Sequence, residues 1–131
     1  MHIFALLAAA APVAVQGDYH PQARLERLVA GRVAGAPQSC IDPRRVRQTE
    51  IVSGQAITYR IGGRLYVNRP TIGLEWLDRD SILVSRRPIG QLCRGEPIQL
   101  LDRTSRIQRG FVTLGEFVPY DRAGRETVQP R

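Results

Sequence analysis

Thr49-Glu50-Ile51-Val52, Ala56-Ile57-Thr58-Tyr59-Arg60 and Arg64-Leu65-Tyr66-Val67-Asn68, split by Ser53-Gly54 and Ile61-Gly62-Gly63, decide the fold. Their period of two and their β-branched and aromatic side chains read as an antiparallel meander of short strands. Two registers suit the second turn. A three-residue turn with Gly63 in the left-handed region places Tyr59 opposite Leu65 and Ile57 opposite Val67. A two-residue Gly62-Gly63 turn instead puts Ile61 and Tyr59 beside Arg64 and Tyr66. The first register is preferred because it gathers the apolar side chains on one face.

Beyond the meander, Asn68-Arg69-Pro70 ends the pairing, and residues 71–80 read as an irregular loop or a short helix. Further strands are expected at Ser81–Ser85, Pro97–Leu101 and Gly110–Leu114. A last apolar piece, Phe117-Val118-Pro119-Tyr120, precedes a polar tail, 121–131, expected to be disordered. Before the meander, Pro21 to about Gly31 is the one helix. Pro21 suits a first helical position, and Leu25, Leu28 and Val29 recur at helical spacing. Asp42-Pro43 reads as a cap and first residue of a single turn around Arg44 and Arg45. The expected class is α+β, mainly β. It comprises one N-terminal helix followed by a small antiparallel meander or partly open barrel of about six short strands.

The run from Ile3 to Val15 is continuously apolar and stops at Gln16-Gly17-Asp18. It is well short of the roughly 20 residues that a spanning helix needs. Its length suits the core of a signal peptide over residues 1–17, with Val15 and Gly17 as small residues before a cut at Asp18. A buried N-terminal helix or strand is the alternative. Export leaves a single domain over 18–120, in the periplasm or secreted. No transmembrane helix is expected.

Cys40 and Cys93 are the only cysteines. An even count in an exported chain points to one disulfide, either within the chain or between two chains. A bridge closing the loop between them would contribute roughly 4 kcal/mol on the loop-entropy model. Aromatic residues for a core are few, so a staple would help.

All 19 basic residues are Arg, and the formal net charge is +7. Guanidinium groups grip carboxylates and phosphates with a bidentate fork that an ammonium lacks, although GC-rich coding also produces such a bias. The charge permits attraction to lipopolysaccharide, anionic lipid or acidic polymers of an envelope. Partners from the composition alone are therefore anionic envelope components or an envelope protein; nucleic acid is not expected. Arg44-Arg45-x-Arg47, Arg86-Arg87 and Arg103-x-x-Arg106-x-x-Arg109 concentrate the charge. Of these, Arg103, Arg106 and Arg109 could share one side of a turn and form an anion seat.

Catalytic equipment is sparse. Only His20 survives removal of the signal, and it lies at the new N-terminus, so a histidine-based triad or dyad is not expected, and a bridge would consume both thiols. No catalytic residue and no cofactor is assigned. Glu75, Asp78 and Asp80 offer carboxylates to a hard cation but lack the spacing of an EF-hand loop, and with Arg79, Arg86 and Arg87 they read as a solvated, charge-balanced surface. Zinc has no ligand set. Tyr59, Tyr66 and Trp76 could serve as stacking platforms or complete a small core.

Ser39-Cys40-Ile41, Leu65-Tyr66-Val67-Asn68-Arg69-Pro70, Gln91-Leu92-Cys93, and Leu114-Gly115-Glu116-Phe117-Val118-Pro119-Tyr120 follow one another in a distinctive order. Over residues 22–120 the chain resembles a family of short, exported, uncharacterised Gram-negative bacterial proteins built on a domain of unknown function. Many members carry extra cysteines where this chain has Thr71-Ile72 and Val112-Thr113. The resemblance implies export and a Cys40–Cys93 pair, and it lends no activity. The resulting expectation is a non-enzymatic structural or interaction module of the cell envelope, with an Arg-based anion-binding module as the alternative.

Overall fold

The structure, a computed structural model, describes Ile3, residues 19–86 and residues 90–123. The expected signal, Ile3 apart, lies outside the described residues, as do Arg87 and the tail beyond Ala123. The chain runs α1 (Pro21–Val29), β1 (Arg32–Ala34), β2 (Cys40–Ile41), β3 (Gln48–Val52), β4 (Ala56–Ile61), β5 (Arg64–Asn68), β6 (Ser81–Ser85), β7 (Leu92–Cys93), β8 (Pro97–Asp102), β9 (Gln108–Thr113) and β10 (Phe117–Arg122). Single 3-10 turns occupy Pro43–Arg45 and Leu74–Trp76. The class is α+β and mainly β, as expected, but with ten strands among the described residues rather than about six.

Antiparallel pairing assembles these strands into open sheets. Five strands lie in the order β1-β10-β5-β4-β3, three in the order β6-β8-β9, and β2 pairs with β7. The β3–β4–β5 meander forms where it was expected, but in the other register. Tyr59 faces Tyr66, Ile57 faces Asn68, and Ile61 faces Arg64. Gly62 takes a φ of +60°, the left-handed first position of a two-residue turn.

The reason lies in how the sheet is covered. Ile57, Tyr59 and Tyr66 join Leu100, Val112 and Phe117 in a core shared with the three-stranded sheet. Ala56, Leu65 and Val67 belong to a second core with Leu25, packed by Leu28 and Val29 of α1. Both faces of the meander are therefore buried, and a rule that collects apolar residues on one face selects the wrong pairing.

Strand β10 is an interior strand of its sheet, between β1 and β5, despite Pro119. Phe117 exchanges backbone hydrogen bonds with Gln38, and the Pro119 carbonyl accepts from Gly35 N–H at 2.7 Å. The missing proline N–H thus falls on the β1 side, where Ala36-Pro37 leaves the ladder. The strand continues through Asp121 and Arg122, which face Val33 and Arg32. The expected disordered tail therefore does not begin at Asp121.

Cys40 and Cys93 stand directly opposite one another in the β2–β7 pair and form an intramolecular disulfide, with Cα atoms 4.0 Å apart. The next turn is fixed by a buried carboxylate. Glu96 is 6% exposed, accepts from the Cys93 N–H, and accepts from the Ser85 hydroxyl at 2.7 Å. Each contact satisfies an oxygen that burial removes from water.

Candidate functional site

A groove of about 610 Å³ separates the edge strands β3 and β6. The strands belong to different sheets but are tied at one end. Gly54 N–H donates to the Leu77 carbonyl at 2.9 Å, and Arg79 N–H donates to the Ser53 hydroxyl at 2.8 Å. Away from that tie the floor and walls carry Ile51, Ile82 and Leu83.

Four guanidinium side chains reach this groove from three parts of the chain. Arg24 and Arg27, three apart on the polar side of α1, come from above β3. Arg79 comes from the turn before β6, and Arg103 from the turn after β8. Glu50 and Asp80 are the acidic lining residues, so positive charge is in excess.

Two of these cations are pinned. Arg24 donates to both oxygens of Glu50, Nε to Oε2 at 2.7 Å and Nη2 to Oε1 at 2.8 Å. This bidentate pair holds the Glu50 carboxyl below its ordinary range against the opposing effect of burial, with Arg27 and Arg60 adding attraction. The Arg79 guanidinium lies 4.0 Å from the centre of the Tyr19 ring. Tyr19 is itself anchored, its hydroxyl accepting from Ser53 N–H at 3.1 Å. The groove thus holds two fixed guanidinium groups, Arg24 and Arg79, beside those of Arg27 and Arg103.

The sequence-derived anion triplet is only partly assembled. Arg103 and Arg109 line a second, smaller cleft of about 360 Å³, and Arg106 does not line it. That cleft also carries Asp78, Asp80 and Asp102. Asp102 accepts from Thr104 N–H, Ser105 N–H and the Arg109 guanidinium, which together depress its carboxyl to about 2. Arg109 is therefore spent on the turn. Arg106 has a φ of +64°, so its backbone serves the turn geometry.

The other candidates resolve as follows. Asp78 accepts from Asp80 N–H, while Glu75 sits apart on the Leu74–Trp76 turn. Among the described residues, no three His, Cys, Asp or Glu side chains are grouped to hold a metal ion. Arg44 turns back to Asp42, whose side chain caps the 3-10 turn as its sequence implied. Tyr59 and Tyr66 are buried core residues, Tyr59 packing on Phe117 at 5.7 Å between ring centres. Burial, with the Glu96 charge adding, pushes the Tyr59 hydroxyl to a higher pKa. Trp76, half exposed, lies over Gly110, where any added Cβ would meet its ring.

Sequence reading missed Arg24, Arg27 and Arg79 as a set. The one local signal was Arg24 and Arg27 on the polar face of α1; their meeting with Arg79 and Arg103 depends on how the sheets stack. Comparison with protein-family models, with curated proteins and with solved structures finds no match to this chain.

Proposed function

We propose that this chain is an exported, non-enzymatic binding module of the cell envelope, and that it takes anionic ligands in the groove between β3 and β6. One observation carries the reading: Arg24, Arg27, Arg79 and Arg103 converge on one groove in which acidic residues are outnumbered. Arg27 and Arg103 provide the donors for a ligand. Arg79, stacked on Tyr19, and Arg24, held by Glu50, set the shape and sign of the site. Export is supported by the disulfide, because such a bridge persists in oxidising compartments. The order of motifs that resembles exported Gram-negative proteins supports the same location.

Titrating the protein with polyglutamate, lipopolysaccharide and phosphatidylglycerol vesicles at low and high salt tests the reading. Binding should weaken as salt screens the groove, and Arg27→Ala with Arg103→Ala should weaken it at least tenfold. Binding indifferent to both substitutions would refute the site.

A further inference from the structure

We propose that the occupant of this groove is an extended acidic polypeptide segment, which adds to the free edge of β6 as an extra strand. The inference rests on the anion-binding reading and adds the chemical class of the ligand.

Strand β6 is Ser81-Ile82-Leu83-Val84-Ser85 and pairs with β8 along one side. Among the described residues its other side has no strand partner, being the end of the β6-β8-β9 sheet. Such an edge exposes a row of backbone donors and acceptors and is ordinarily protected by a charge, a proline, a bulge or a covering element. Strand β6 itself contains no charge and no proline, and the register shift in its sheet lies between β8 and β9 instead. An apolar, uncharged, open edge on a protein that must remain soluble is a template for pairing.

The opposite wall selects the sequence that pairs. The β3 edge is already engaged near its end, where Tyr19 accepts from Ser53 N–H and Arg24 lies across Glu50. A strand laid along β6 therefore lies in the groove lined by Arg24, Arg27 and Arg103, with Arg24 and Arg27 approaching it from the α1 side. Ile51 and Leu83, both packed against the main core, line the same groove and accept apolar side chains of the alternate set, while Ile82 lies on the other face of β6. Acidic and apolar residues in alternation fit this lining. A lipid headgroup or a free anion would use the guanidinium groups but leave the backbone edge open.

The test uses the full-length, oxidised protein and a capped octapeptide of alternating Asp and Val carrying a fluorophore. Two further copies are N-methylated, each at one of the two alternate sets of residues, which removes strand hydrogen bonds along one side without altering charge. Phosphatidylglycerol vesicles and polyglutamate are titrated in parallel. The expected result is salt-sensitive binding of the first peptide, weakened at least tenfold by N-methylation of one alternate set and likewise by Arg27→Ala with Arg103→Ala. Equal binding of the N-methylated copies overturns strand pairing while leaving an anion groove. Vesicle binding without peptide binding overturns it in favour of lipid. Failure of every anion to bind removes the groove reading as well.

Discussion

Asn68 and Gly115 hold each other through two hydrogen bonds, with the Asn68 amide nitrogen donating to the Gly115 carbonyl at 2.7 Å and Gly115 N–H donating to Asn68 Oδ1 at 2.9 Å. Asn68 is completely buried, at the end of β5. The side chain acts as a piece of backbone, closing the corner where β9 gives way to β10. It also ties together two of the motif stretches read from the sequence, Asn68-Arg69-Pro70 and Leu114-Gly115-Glu116.

Breaking that corner should be costly. Asn68→Ala leaves a buried N–H and a buried carbonyl unpaired, and urea denaturation is expected to show a loss of about 2–4 kcal/mol. Gly115→Ala should be comparable, because its Cβ would clash with the Arg69 carbonyl oxygen. Wild-type stability in both variants would mean that the corner does not hold the sheet.

The turn after β8 offers a substitution with the opposite sign. Arg106 occupies the left-handed region at φ +64°, which glycine adopts without a Cβ penalty. Arg106→Gly is expected to raise stability by up to about 1 kcal/mol and to leave anion binding unchanged. Arg103→Ala should weaken binding with little effect on folding. Loss of binding in Arg106→Gly would restore the triplet reading of that turn.

Acid should act through the carboxylates that guanidinium groups hold. Glu50 ordinarily titrates near 4.5, and its value is lowered chiefly by the Arg24 hydrogen bonds. A depressed carboxyl contributes stability above its unfolded value, and that contribution disappears as pH falls through the folded value. Stability should therefore decline below about pH 4.5, with a shallower decline in Glu50→Gln. Asp102, lowered from 3.8 to about 2 by the turn amides and Arg109, should titrate last, followed by its carboxyl resonance. A normal titration at Asp102 would contradict the turn contacts.

Reduction of the bridge gives a separate stability check. Cys40→Ser with Cys93→Ser should lower unfolding free energy by up to about 4 kcal/mol, since it frees the long loop in the unfolded chain. Glu96 and the β2–β7 backbone pairing should keep the native arrangement, visible as unchanged near-ultraviolet circular dichroism of Tyr59 and Tyr66. A collapsed spectrum would show that the bridge is needed to form the core.

Local chemistry was legible where it acts alone. Period-two patterning located β3, β4, β5, β6, β8 and β9 to within about two residues. Asp42 announced its own cap, and Pro21 its helix start. The failures arise where tertiary context decides. The meander register depends on α1 covering one face while the second sheet covers the other, which no single strand displays. Strand β10 was obscured by Pro119, acceptable only because the neighbouring segment after β1 departs at Ala36-Pro37. Strand β1 is three residues long and mostly exposed, so it carries little pattern. The groove was least legible, since Arg24 and Arg103 are far apart in sequence and meet through sheet stacking.

The most direct test of the central claim follows the backbone and guanidinium resonances of the labelled protein while polyglutamate is added. The expected result is a set of saturable, salt-sensitive shifts confined to Arg24, Arg27, Arg79, Arg103 and the β6 residues Ile82 and Leu83. Shifts centred on Arg44, Arg45 and Arg47, or no shifts at low salt, would contradict an anion-binding groove between β3 and β6.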